Sequence, residues 1–134
     1  MYIVDSSVWI ALFLDDDTNH KRAVSVLQSI DDATIKLPYG VILETATVLA
    51  RKQSKKHADK FIEYIRANPQ IETSTPFLSE DISTFLAESD RLSFVDALLK
   101  NISLREGLTL ISFDKQLLAS LKHSNNKFPP SRAT

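Results

Sequence analysis

Apolar positions recur along this chain in two rhythms, short unbroken runs and longer stretches at helical spacing. Tyr2-Ile3-Val4 is a short strand signal, and Asp5-Ser6-Ser7 follows at once, after which Val8, Trp9, Leu12 and Phe13 resume the spacing of a helix. Asp5 thus ends the first strand, Ser6 or Ser7 is expected to cap the first helix, and the three large side chains after them belong to the core. The acidic run Asp15-Asp16-Asp17 reads as a solvated loop leading to Thr18 as the next N-cap. A helix through Ala23, Val24, Leu27 and Ile30 comes next, then a strand at Thr34-Ile35-Lys36-Leu37 closed by Pro38.

Gly40 opens a helix whose apolar positions are Val41, Ile42, Ala46, Leu49 and Ala50. Glu44 falls on a different edge, which continues at helical steps through Val48 and Arg51 to Lys55. Phe61, Ile62 and Ile65 mark another amphipathic helix, ended by Pro69, and Ile71-Glu72-Thr73 reads as an edge strand before a turn at Pro76. Ser79-Glu80-Asp81 looks like a helix start, with Ile82, Phe85 and Leu86 expected to be buried.

The most informative stretch lies further on. Ser93 is a good N-cap, Val95, Leu98, Leu99 and Ile102 recur at helical spacing, and Gly107 stands where a left-handed residue is wanted, so a helix is predicted from Phe94 to Glu106. Leu108-Thr109-Leu110-Ile111 is then a brief apolar run, read as a buried parallel strand that delivers Asp114 to its C-terminal end. Strands alternate with helices throughout, which predicts an α/β fold, a three-layer α/β/α sandwich around a central parallel sheet. Its 134 residues suit one domain with a real core, and the polar stretch 123–134, with Pro129-Pro130, is expected to be a loosely held tail.

Composition narrows the chemistry. Without cysteine there is neither a disulfide framework nor a thiolate metal site. The longest apolar run, Val8 to Leu14, is too short to span a bilayer, and Asp5 without a basic leader argues against a signal peptide, so a cytoplasmic protein is expected. The net charge of −1 makes no case for nucleic acid, but setting four acids aside leaves −1 + 4 = +3, a mildly basic remainder. Gly40 and Gly107 are the only glycines, which excludes a P-loop and a dinucleotide fingerprint. His20, His57 and His123 are isolated and read as solvated surface residues, and zinc would lack its preferred ligands.

What remains is a set of oxygen ligands. Asp5, Glu44, Asp96 and Asp114 each stand where an acid can approach the strand ends. Taken singly, each has an ordinary reading: Asp5 as a turn residue, Glu44 as a surface helix former, Asp96 as the acid of a Ser-x-x-Asp capping box, Asp114 as the N-cap of a last helix through Leu117 and Leu118. Taken together they point to a cation. Two carboxylates 4 Å apart repel by about 4 kcal/mol at an effective dielectric of 20, and hard divalent ions such as Mg2+ or Mn2+ relieve that repulsion while keeping waters for chemistry. Phosphodiester hydrolysis by an activated water suits such a centre.

The chain resembles the PIN-domain ribonucleases, in particular the VapC-type toxins of toxin–antitoxin systems. The residues that carry the resemblance are the N-terminal apolar strand ending in Asp5-Ser6-Ser7, Glu44 in the helix after the second strand, Leu92-Ser93-Phe94-Val95-Asp96-Ala97, and Ser112-Phe113-Asp114. It implies a Mg2+- or Mn2+-dependent endoribonuclease, a homodimer, and inhibition by a cognate antitoxin protein. By position it makes Asp5, Glu44, Asp96 and Asp114 the catalytic, metal-binding acids and Ser6 and Ser112 supporting hydroxyls. Asp5 and Asp96 would be direct ligands, with Asp114 and Glu44 completing the shell or holding its waters. Arg51, Lys52, Lys55 and Lys56, with Lys60 and Arg66 beyond, form the strongest basic cluster and are an RNA-binding candidate. No final strand is visible after Leu121, where the resemblance would place one.

Two other classes compete. A PIN-like module that binds RNA or protein without cutting would have no need of all four acids. A receiver or haloacid-dehalogenase-like phosphatase also places Asp at strand ends, but the phosphatase wants Asp-x-Asp where this chain has Asp5-Ser6-Ser7, and the receiver's adjacent acids are missing.

Overall fold

Strands and helices alternate through the described residues, 1–75 and 77–127 of a computed structural model. The order is β1 (Tyr2–Val4), α1 (Ser6–Phe13), α2 (His20–Ser29), β2 (Ile35–Pro38), α3 (Tyr39–Lys52), α4 (Lys55–Ala67), β3 (Ile71–Ser74), α5 (Leu78–Ala87), α6 (Phe94–Glu106), β4 (Thr109–Ile111) and α7 (Lys115–Lys127). The turn expected at Pro76 and the Pro129-Pro130 pair lie outside the described residues. Residues 123–127, where the polar tail is expected to open, are the last residues of α7. No fifth strand occurs among the described residues.

All strand pairs are parallel, in the order β3-β2-β1-β4. β1 is central, with Ile3 and Val4 fully buried, as both faces of a parallel sheet require. β3 is an edge strand with Glu72 and Thr73 exposed. The chain moves outward from β1 to β2 and β3, then returns to place β4 on the other side of β1. Strand order reverses there, and the helices that follow β1 and β4 leave in different groups: α1 packs with α2 and α3, α7 with α6. Open parallel sheets bind ligands in the crevice that such a reversal leaves at the carboxyl ends of the strands.

α1 is anchored by its aromatic residues. Trp9 is fully buried, donates its indole N–H to the Val4 carbonyl at 3.2 Å, and packs on Phe61 and Tyr64 of α4. Phe13, half-buried, meets the same two rings edge-on. The first strand and the helix after it are thereby fixed relative to each other, and Asp5 is the residue between them.

Several local expectations are corrected. Asp5 itself occupies the N-cap of α1, extended at φ −73° and ψ 158°, because Ser6 and Ser7 are already helical and spend their hydroxyls elsewhere. Asn19, not Thr18, precedes α2. α4 has a cap that periodicity did not single out, Ser54, which accepts from the His57 N–H. α5 begins at Leu78 and buries none of its residues: Ile82 and Phe85 are partly exposed and Leu86 is 78% exposed. Its helical rhythm is real, but among the described helices it packs chiefly on α6, where Phe85 stacks on Phe94, and no second layer covers its apolar side. Two histidines are not free surface groups either. His20 Nδ1 lies 2.8 Å from the Ala11 carbonyl oxygen near the end of α1, and His57 Nδ1 2.8 Å from Oγ of Ser54, the N-cap of its own helix.

Candidate functional site

The carboxyl ends of β1 and β4 bring their acids together through serine hydroxyls. Asp5 is 2% exposed, and its Oδ2 accepts hydrogen bonds from Ser7 Oγ and from Ser112 Oγ, both at 2.8 Å. Ser112 lies just past β4, so this contact joins the two strand ends directly. Ser6 Oγ donates to Glu44 Oε1 at 2.8 Å, tying the first turn of α1 to α3. Ser7 Oγ in turn accepts from the Phe113 N–H at 2.9 Å, and Ser112 Oγ accepts from the Asp114 N–H at 2.9 Å. A buried carboxylate is tolerated only when hydrogen-bonded or paired, and the hydroxyls of Ser6, Ser7 and Ser112 serve that purpose.

Asp96 enters from α6. Ser93 accepts from the Asp96 N–H at 3.1 Å, and Gly107 ends the helix at φ 65°, so both termini match their sequence signals. The carboxyl of Asp96 is pushed up to about 6, first by burial and then by the charges of Asp5, Asp114 and Glu44, with Ser93 partly offsetting them. Four acids from four parts of the chain therefore share one field, and among the described residues no cation offsets it at Asp96. Asp114 has the role its ordinary reading gave it as well: Oδ1 accepts from the N–H groups of Gln116 and Leu117, capping α7. A cap and a site residue are compatible, since one oxygen serves the helix.

The acids do not form a ready-made cage. Among the described residues no three His, Asp or Glu side chains are gathered as a cation group. Serine hydroxyls hold Asp5 and Glu44, and the end of α7 holds Asp114, as expected of like charges whose repulsion is not otherwise offset. The donor set is nevertheless oxygen only, carboxylates and hydroxyls, and deficient in positive charge, which fits a hard divalent cation and no soft one.

The predicted basic cluster lies at the end of α3 and the start of α4. Lys52 ends α3, about 12 Å along the helix axis from Glu44 at 1.5 Å per residue. Lys55 and Lys56 open α4, exposed, with Lys55 paired to Asp59. Arg51 alone of these four lines a groove of about 670 Å³ between α3, α5 and α6, whose walls include Glu44, Leu43, Leu78 and Phe94. Ser7 is the site residue that the sequence reading did not single out. Its adjacency to Asp5 and the two-residue reach of a hydroxyl were the available signal.

A family model described as PIN domain matches residues 2–122. No curated protein matches the chain significantly. Among solved structures, VapC20 of Mycobacterium tuberculosis, described as a sarcin-ricin-loop-cleaving toxin, is similar with a TM-score of 0.77 at 22% identity, over 90% of this chain and 95% of that one. PAE2754 from Pyrobaculum aerophilum is similar with a TM-score of 0.59 at 20% identity, over 89% of this chain and 83% of that one. At these identities the two structures speak for the fold.

Proposed function

This chain belongs to the PIN-domain family, and from that premise we propose that it is a Mg2+- or Mn2+-dependent endoribonuclease, the VapC-type toxin of a toxin–antitoxin pair. The observation that carries the reading is that the charges of Asp5, Glu44 and Asp114 all act on the Asp96 carboxyl, while Ser6, Ser7 and Ser112 hold the carboxylates of Asp5 and Glu44 at the strand ends.

Asp5 and Asp96 are assigned as direct cation ligands, with Glu44 and Asp114 completing the shell or holding its waters. A divalent cation held by these residues would supply the charge needed to activate a water and to offset the negative charge gathering on the scissile phosphate. The chain contributes position. Ser7 and Ser112 fix both the rotamer and the depth of Asp5, and Ser6 sets Glu44 against the first turn of α1. The N–H groups at the start of α7 hold Asp114 by one oxygen. In the hydrolysis so assigned, the water oxygen would bond to phosphorus as one phosphorus–oxygen ester bond breaks, the departing strand's oxygen would take up a proton to leave as a hydroxyl, and no side chain is needed as nucleophile.

We assign the antitoxin to the groove beside the site, because its apolar walls, with Leu43, Leu78 and Phe94, and its mixed charges, Glu44, Glu80 and Asp81 against Lys36, Arg51 and Arg105, suit an amphipathic segment. Arg51 is the member of the basic cluster that this groove brings nearest to the acids. Homodimerisation and a cytoplasmic location follow from the same assignment. Among the described residues no helix is long and apolar enough to cross a membrane.

The direct test is cleavage of a mixed RNA pool by the purified protein with Mg2+, Mn2+ or EDTA, beside an Asp96→Asn variant purified in parallel. Cleavage that needs the metal and is lost in the variant supports the assignment. Equal cleavage by both proteins would remove Asp96 from the site.

A further inference from the structure

The rim of the acid site carries a cation that none of the assigned roles uses. Arg22, on α2, places its guanidinium carbon 4.5 Å from the centre of the Phe113 ring. Phe113 lies between Ser112 and Asp114, and its N–H is fixed by Ser7 Oγ, which itself donates to Asp5. Arg22 is therefore connected to the acid centre through one ring and one hydroxyl. It is exposed, and among the described residues it makes no ion pair and no side-chain hydrogen bond, so its five N–H donors face solvent.

An exposed arginine is ordinarily a solvated surface group, but this one is oriented. Stacking on an aromatic face restrains the guanidinium, so less freedom is lost when its planar fork closes on an anion. Arginine in that state suits a phosphodiester, whose two free oxygens accept the fork in a bidentate manner. Its place also sets it apart from the α3–α4 cluster. The groove that begins at Glu44 and Arg51 includes neither Phe113 nor Arg22 in its walls, so Arg22 flanks the acids from outside it.

We propose that Arg22, held over Phe113, binds a phosphodiester of the RNA strand next to the one cleaved, and so seats single-stranded RNA at the acid centre. This rests on the ribonuclease reading given above. Arg22 touches substrate and not the reacting atoms, so its effect belongs to binding: KM rises while kcat is held.

The test uses a fluorescein-labelled RNA 20-mer of mixed sequence, with binding followed by anisotropy at several salt concentrations in Ca2+, and cleavage followed in Mg2+. Arg22→Ala is expected to weaken binding five- to tenfold and to lower the slope of log K against log salt by about 0.7, one phosphate contact on a single strand. Arg22→Lys should fall between the two, keeping charge but losing the stacked fork. A double Lys52→Ala/Lys56→Ala variant should change affinity less than Arg22→Ala does. If wild type binds and cuts RNA while Arg22→Ala matches it in affinity and salt slope, the inference is overturned and the ribonuclease reading stands. If wild type neither binds nor cuts, the ribonuclease reading falls and takes this inference with it.

Discussion

A Cβ placed on Gly40, in the first turn of α3, would lie 3.2 Å from Cγ2 of Val95 in the first turn of α6. That is closer than a side chain is normally admitted, so the two helix starts approach each other because position 40 has no side chain. Glu44 is four residues beyond Gly40 and Asp96 one beyond Val95, so a change in this approach would shift the helix starts that carry two of the four acids. Gly40→Val is expected to lower RNA cleavage tenfold or more, since small displacements at such a centre are costly. Gly40→Val/Val95→Ala should recover part of the loss. Cleavage rates of the two variants, beside their melting curves, check it.

The mutual repulsion of the acids has a signature in the metal-free protein. Asp96 holds its proton up to about pH 6 in the folded chain, against an ordinary value of 3.8. Between those values the folded state binds more protons than the unfolded state, so stability falls as pH rises through the window. The group is partly buried, and solvent screening leaves on the order of 1 kcal/mol. In EDTA, Asp96→Asn should be more stable than wild type above pH 6, and the difference should vanish near pH 4. Urea titrations at the two pH values measure it.

Thr45 is fully buried in α3, and its hydroxyl has no partner among the described residues. Burial of an unpaired hydroxyl is unfavourable, and valine has nearly the same shape and helix propensity. Thr45→Val is expected to stabilise the fold by about 1 kcal/mol, seen as a higher urea midpoint with an unchanged slope.

Lys100, 5% exposed, works in the opposite sense. Its ammonium donates to Glu88 at 2.6 Å and to Ser120 at 2.8 Å and lies 3.5 Å from Asp90, joining α6 to α7 and to the segment after α5. The Ser120 hydroxyl, followed by the charge of Lys100, holds Asp90 below the usual carboxylate range. Lys100→Met fills the space but leaves Glu88 unpaired, at an expected loss of about 3 kcal/mol. Lys100→Met/Glu88→Gln should lose less, and chemical denaturation of the pair decides.

Much of this arrangement was legible before the structure. The signals for α6 are local, a serine cap and a terminal glycine, so Phe94–Glu106 was read with its boundaries. Asp5 and Asp114 were placed because strand ends can be read from short apolar runs. The burial of α5 was misread because periodicity reports which side of a helix is apolar, not whether anything covers it. The serine bridges were only half legible: Ser112 and Asp5 are 107 residues apart, and nothing local states that β4 returns beside β1. Lys100 gave no signal, since its partners come from two other segments. Arg22 gave no signal, because Phe113 meets it only in the fold.

The central claim is that four acids form one cation site, and Mn2+ binding tests it without any substrate. Free Mn2+ is followed by electron paramagnetic resonance as the metal is titrated into wild type, Asp5→Asn, Asp96→Asn and Asp81→Asn, the last an acid outside the cluster. Wild type and Asp81→Asn are expected to bind alike, with affinity at least tenfold lower in Asp5→Asn and Asp96→Asn. Equal binding by all four proteins, or none by wild type, would contradict the claim.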